Sequence, residues 1–91
     1  MSDDYEVLVG ANAVRSIRRL PKQAQKAVVA ALSSLGTDPC AGKRLTGELA
    51  GTWSLRRGDY RVLYRIDDGR RTVEVARVGH RRDVYRRTAG S

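Results

Sequence analysis

The stretch Gly51-Thr52-Trp53-Ser54-Leu55-Arg56-Arg57-Gly58-Asp59-Tyr60-Arg61-Val62-Leu63-Tyr64-Arg65-Ile66 decides the fold. Two runs rich in strand-forming residues flank a Gly-Asp pair, and glycine at the first position of a two-residue loop suits a type II′ turn. With Gly58 and Asp59 as the loop, antiparallel pairing sets Arg57 opposite Tyr60, Arg56 opposite Arg61, Leu55 opposite Val62, Ser54 opposite Leu63 and Trp53 opposite Tyr64. Side chains alternate at period two. One face therefore gathers Trp53, Leu55, Val62, Tyr64 and Ile66, an apolar set that reads as core. The other gathers Thr52, Ser54, Arg56, Arg61, Leu63 and Arg65. Like charges directly opposite each other destabilise a sheet, so Arg56 facing Arg61 asks for an anion between them, and a phosphate fits two guanidinium forks.

Upstream of the hairpin, Tyr5-Glu6-Val7-Leu8-Val9 before Gly10 reads as a strand that pairs within the later sheet. Asn12 is a candidate N-cap for a first helix, in which Val14, Ile17 and Leu20 recur at helical spacing while Arg15, Arg18 and Arg19 point elsewhere. Pro21 suits the first turn of a second helix, with Ala24, Ala27, Val28, Ala31, Leu32 and Leu35 as its apolar stripe and Gly36 as its stop. Residues 37–51 hold three glycines and a proline without a sustained period, so they read as a connecting loop anchored by Leu45 and Leu49.

Downstream, Asp68-Gly69 suits a type I′ turn into a third hairpin-linked strand. Val73 and Val75 then face Tyr64 and Val62 on the core side, with Glu74 beside Leu63 and Ala76 beside Arg61 on the other side. The order strand, two helices, three strands predicts one α+β domain over residues 1–91, with the helices on one face of a mostly antiparallel sheet and the other face open. Arg56, Arg61 and Arg65 lie on that open face, and the segment after the last strand brings His80, Arg81 and Tyr85 towards its end.

Ninety-one residues bury only about two-thirds of their unfolded surface. The core is small and leans on Trp53 and the four tyrosines, because the chain has no phenylalanine. Eighteen Lys and Arg against ten Asp and Glu leave a net charge of +8, which points to an anionic polymer or an acidic protein as partner. The one cysteine, Cys40, rules out an internal disulfide, fits a reducing compartment and reads as a small loop residue. No apolar run approaches membrane-spanning length, and Met1-Ser2-Asp3-Asp4 is acidic where a signal peptide is basic, so a cytoplasmic protein away from membranes is expected.

Three motifs, Gly47-Glu48-Leu49-Ala50-Gly51-Thr52-Trp53, Arg57-Gly58-Asp59-Tyr60-Arg61-Val62-Leu63-Tyr64 and Val78-Gly79-His80-Arg81-Arg82-Asp83-Val84-Tyr85, together resemble the RelE branch of the RelE/ParE toxin superfamily. The resemblance covers nearly the whole chain. It implies a bacterial type II toxin that cleaves messenger RNA in the ribosomal A site and is silenced by a cognate antitoxin protein. It further implies that Arg61 holds the scissile phosphate, Arg81 serves near the leaving oxygen and Tyr85 lies near the attacked nucleotide. Thr52 and Ser54 stand where the best-known relative carries lysines.

Ser54, Arg56, Arg57, Arg65 and Arg82 are expected along the RNA path. The expected chemistry uses no metal or other cofactor: the ribose 2′-hydroxyl attacks the adjacent phosphate, and guanidinium charge stabilises the transition state. His80, the only histidine, is the side chain whose ordinary pKa lies nearest neutrality and is a chemically suitable acid or base. Tyr85 suits edge packing and base stacking equally, while Trp53, Tyr60 and Tyr64 read as core and Glu48 as a loop carboxylate. Arg15, Arg18, Arg19, Arg86 and Arg87 read as solvated charge. Two other readings stay open: a ParE-like inhibitor of DNA gyrase that acts by binding, and a weakened toxin homologue that reaches operator DNA only through its antitoxin complex.

Overall fold

The structure, a computed structural model, describes residues 4–80. Its elements are β1 (Glu6–Val9), α1 (Ala11–Arg18), α2 (Lys22–Thr37), β2 (Lys43–Arg44), β3 (Trp53–Arg57), β4 (Tyr60–Asp67) and β5 (Thr72–His80), with single 3-10 turns at Pro39–Ala41 and Gly47–Leu49. The strands form one sheet in the order β1-β5-β4-β3-β2. β1 runs parallel to β5 and the other pairings are antiparallel, so the expected α+β architecture holds.

The central hairpin takes the register that its turn dictates, from Arg57 opposite Tyr60 to Trp53 opposite Tyr64. Gly58 adopts φ +58°, the left-handed conformation that a glycine supplies at little cost. Leu55, Val62 and Tyr64 from this hairpin join Val73, Val75 and Val78 of β5 and Ala13, Val28, Ala31, Leu32 and Leu35 of the helices in a single buried cluster. Trp53, Tyr60 and Ile66 are partly buried against it. The Trp53 and Tyr64 rings stack with centroids 6.2 Å apart.

The helices differ from expectation at their ends. α1 is capped by Gly10 rather than Asn12, because the Gly10 carbonyl accepts the Val14 N–H at 2.9 Å while the Gly10 N–H pairs with the Val75 carbonyl at 3.0 Å. The Gln25 amide donates to the carbonyls of Arg18 and Leu20, which satisfies the end of α1 from within α2. Pro21 is the N-cap of α2, and Gly36 lies inside the helix instead of stopping it. Its carbonyl accepts the Tyr5 N–H at 2.7 Å, and a Cβ on Gly36 would lie 3.1 Å from the Tyr5 carbonyl oxygen. Close approach to the start of the chain thus accounts for this glycine. Ala27 is exposed rather than part of the buried stripe, and Ala13 is fully buried.

Three further expectations are corrected. The loop over 37–51 contains strand β2, which pairs Lys43 with Ser54 and Arg44 with Trp53; Leu45 and Leu49 are half-buried in it. The turn after β4 has four residues, Asp68 to Arg71, since Asp67 pairs with Thr72. The Asp67 carboxylate accepts the Arg70 N–H at 3.1 Å, and Arg71 rather than Asp68 or Gly69 takes the left-handed φ, at 54°. β5 then pairs Val75 with Tyr64 but Arg77 with Leu63, a bulge that leaves Ala76 as the extra residue. Consequently Gly79, not Ala76, lies opposite Arg61, and Glu74 lies opposite Arg65, not beside Leu63.

Candidate functional site

The sheet face away from the helices is built by alternation. Ser54 and Arg56 of β3, and Arg61, Leu63 and Arg65 of β4, share it as the hairpin register requires. Arg56 lies directly opposite Arg61, with Cβ atoms expected about 4.5–5.5 Å apart. Two residues join from elements that the sequence did not resolve. Lys43 lies opposite Ser54 and so points to this face, whereas its neighbour Arg44 turns the other way and covers the Trp53 ring at 5.9 Å. Arg77 arrives because the bulge at Ala76 reverses the alternation of β5, placing Arg77 beside Leu63 and Val78 in the core. The spacing of Val73, Val75 and Val78 is the one trace of this in the sequence.

The face is less open than expected. Leu63 and Ser54 are only 2% and 5% exposed, and Arg61 is half-buried, while Arg56 and Arg65 are exposed. The Arg56 Nε donates to the Gly58 carbonyl at 3.2 Å, which steadies the guanidinium at the hairpin end. An open pocket of about 490 Å³ is lined by Ala41, Gly42, Lys43, Ser54, Leu55, Arg56 and Arg61, from the segment entering β2 across β3 to β4. It is rich in donors and cationic charge, so it is suited to phosphate oxygens.

Not every sequence-predicted residue converges there. Arg57 pairs with Tyr60 and belongs by alternation to the helix side, although it is exposed at the hairpin tip. His80 also pairs with Tyr60, and the two rings meet edge-on with centroids 6.0 Å apart. The register therefore sets His80 with Tyr60 and Val78 rather than with Arg61, because Gly79 takes the position opposite that arginine. Arg81, Arg82 and Tyr85 lie outside the described residues.

A second set of contacts supports the cavity from the core side. The Tyr64 hydroxyl donates to the Pro39 carbonyl at 2.6 Å and accepts the Gly42 N–H at 3.1 Å. Burial pushes this hydroxyl above its ordinary value of 10.0, and the Gly42 N–H, which favours the phenolate, offsets part of that rise. Gly42 has no room for a side chain, since a Cβ would lie 2.6 Å from the Ser54 carbonyl oxygen and 2.7 Å from the Tyr64 hydroxyl.

Among the described residues no helix is long and apolar enough to cross a membrane. The family described as ParE toxin of type II toxin-antitoxin system, parDE, matches residues 8–85. Toxin RelG of Mycobacterium tuberculosis is 49% identical over 85 residues, covering 91% of this chain and 98% of that protein. Toxin RelE of the same organism is 42% identical over 90 residues, covering 94% and 93%. The crystal structure of the toxin-antitoxin complex RelBE2 from M. tuberculosis contains a chain 48% identical to this one, with a TM-score of 0.79 over 86% of this chain and 92% of that one. The isolated Escherichia coli RelE toxin shares the fold at 21% identity, with a TM-score of 0.72 over 94% and 96%. The family match over most of the chain and the near full-length identity to both relatives agree with the shared fold, and the chain belongs to the ParE toxin family of type II toxin-antitoxin systems, within its RelE branch.

Proposed function

We propose that this toxin cleaves messenger RNA in the ribosomal A site and that a cognate antitoxin protein silences it. The supporting observation is the facing pair Arg56 and Arg61 on the sheet face away from the helices, with Ser54 and Arg65 on the same face. Like charges at directly opposed positions are unfavourable in a sheet, and an RNA phosphodiester bound between the two strands offsets that cost while accepting from both guanidinium groups. The antitoxin follows from the relatives, several of which are described in toxin-antitoxin complexes.

The proposed step is a phosphoryl transfer. The ribose 2′-oxygen forms a bond to the adjacent phosphorus and loses its proton, while the bond from phosphorus to the 5′-oxygen breaks and that oxygen gains a proton. The products are a 2′,3′-cyclic phosphate, which water opens to a 3′-phosphate, and a 5′-hydroxyl end. Negative charge builds on the non-bridging oxygens in the transition state, where Arg61 and Arg56 stabilise it without having to reorganise. In this reading Arg81 serves near the leaving oxygen and Tyr85 near the attacked nucleotide, while Arg65 and Arg82 follow the RNA backbone.

Primer extension on mRNA from programmed ribosomes treated with the purified toxin tests this directly. Cuts inside the reading frame are expected, with Arg61→Ala slowing them by about 10²-fold or more while the circular dichroism spectrum is unchanged. An Arg61→Ala protein that cuts as fast as its parent overturns the site. The match to the ParE toxin family favours a second reading, binding to DNA gyrase. It predicts loss of supercoiling with the mRNA intact.

A further inference from the structure

We infer that Lys43 is a third substrate-contacting cation of the site, where it binds the RNA phosphodiester beside the one gripped by Arg56 and Arg61. The inference rests on the ribonuclease reading and adds a residue to it.

Placement is the first argument. Lys43 has the same face as Ser54 because the two are paired across β2 and β3. The opposite course of Arg44, which lies over the Trp53 ring, independently fixes the alternation of this two-residue strand. Lys43 also lines one cavity with Arg56 and Arg61. A lysine flanking a pair of arginines across a donor-rich cavity adds a compact, strongly hydrated charge with three donors, which can follow a bend in the backbone that a planar guanidinium cannot.

The second argument is that the fold specifies this placement. Without β2, Lys43 would sit in a surface loop. The segment before it is held by the Tyr64 hydroxyl, which engages both the Pro39 carbonyl and the Gly42 N–H from inside the core. Gly42 lets the backbone come so near that a Cβ would overlap the Ser54 carbonyl oxygen. Tyr64 is fully buried, so a core residue reaches through the sheet edge to set the position of a surface cation. Tyr64 is accordingly a positioning residue, and Lys43 the group that touches substrate.

Four variants in one background test the inference: Lys43→Ala, Lys43→Arg, Arg61→Ala and Lys26→Ala, the last removing the same charge from an exposed position on α2. Lys43→Ala is expected to slow mRNA cleavage on programmed ribosomes about tenfold and to weaken binding to a 2′-O-methyl single-stranded RNA similarly, with little dependence on sequence. Lys43→Arg restores most of both, and Lys26→Ala changes neither. Tyr64→Phe moves cleavage in the same direction, and combined with Lys43→Ala it is no worse than Lys43→Ala alone, since both act through one contact. If Lys43→Ala cuts like its parent while Arg61→Ala does not cut, Lys43 is outside the site and the ribonuclease reading stands. If the parent cuts nothing, that reading fails and RNA binding decides: unchanged affinity in Lys43→Ala overturns the inference.

Discussion

At the scale of single residues, Tyr64 links the core to the site. Its ring lies in the buried cluster against Trp53, while its hydroxyl holds the segment that carries Lys43. Tyr64→Phe keeps the ring and removes both hydrogen bonds, so it should cost about 1–3 kcal/mol in denaturant unfolding, because the Pro39 carbonyl and Gly42 N–H lose a partner. The sign of the pH effect follows from burial. The folded hydroxyl titrates above its ordinary value of 10.0, so the unfolded chain gives up the proton first. The stabilisation is complete below pH 10 and fades as pH rises from there through the folded value. Tyr5, raised mainly by its hydrogen bond to Asp68, contributes a slope of the same sign. Alkaline melts should therefore show a shallower loss above pH 10 in Tyr64→Phe than in the parent, and identical slopes would remove Tyr64 from this account. None of this network is readable from the sequence, which marks Tyr64 as core but not as a donor to a carbonyl 25 residues earlier.

At the scale of elements, the hairpin from Trp53 to Tyr64 was legible because glycine at position 58 fixes loop length and loop length fixes register. The existence of strand β5 was legible too, with Val73 and Val75 in the core, but its register was not, for two physical reasons. Its turn is closed by the Asp67 side chain over four residues, so the Asp-Gly dipeptide misleads. The bulge then places two residues, Ala76 and Arg77, opposite the single Leu63. β2 escaped notice because two residues are too few to show a period. The bulge makes an unusual prediction about deletions. Removing Ala76 leaves Arg77 opposite Leu63 and Val78 opposite Val62, an unbroken ladder with the same core, so the variant should stay folded with a melting point within several degrees of the parent. Removing Glu74 from the regular stretch instead turns the preceding residues to the wrong face, sending Val73 out of the core. Far-UV circular dichroism and thermal melts separate the two, and equal damage from both deletions would contradict the register.

At the scale of the whole molecule, which carries a net charge of +8, one sheet face gathers five cations from four strands. Lys43, Arg56, Arg61, Arg65 and Arg77 share one face, with Glu74 opposite Arg65 and, by the same alternation, Asp67 of β4 and Glu6 of β1 on that face as well. Thr52 and Ser54 stand where the best-known relative carries lysines, and pairing sets Lys43 of the neighbouring strand opposite Ser54 on this face, a juxtaposition that a linear sequence cannot display. If this face carries the RNA, each cation that meets a phosphate displaces a counterion, and the logarithm of the binding constant falls with the logarithm of salt by about 0.7 per contact on a single strand. Five such contacts give a slope of about −3.5, or roughly a hundredfold loss of affinity between about 50 and 200 mM salt. Fluorescence anisotropy on a 2′-O-methyl single-stranded RNA should show Arg65→Ala and Arg77→Ala each flattening that slope by about 0.7, while Lys26→Ala on α2 leaves it unchanged. A slope that responds to Lys26 but not to Arg65 or Arg77 would move the RNA to the helix side of the molecule.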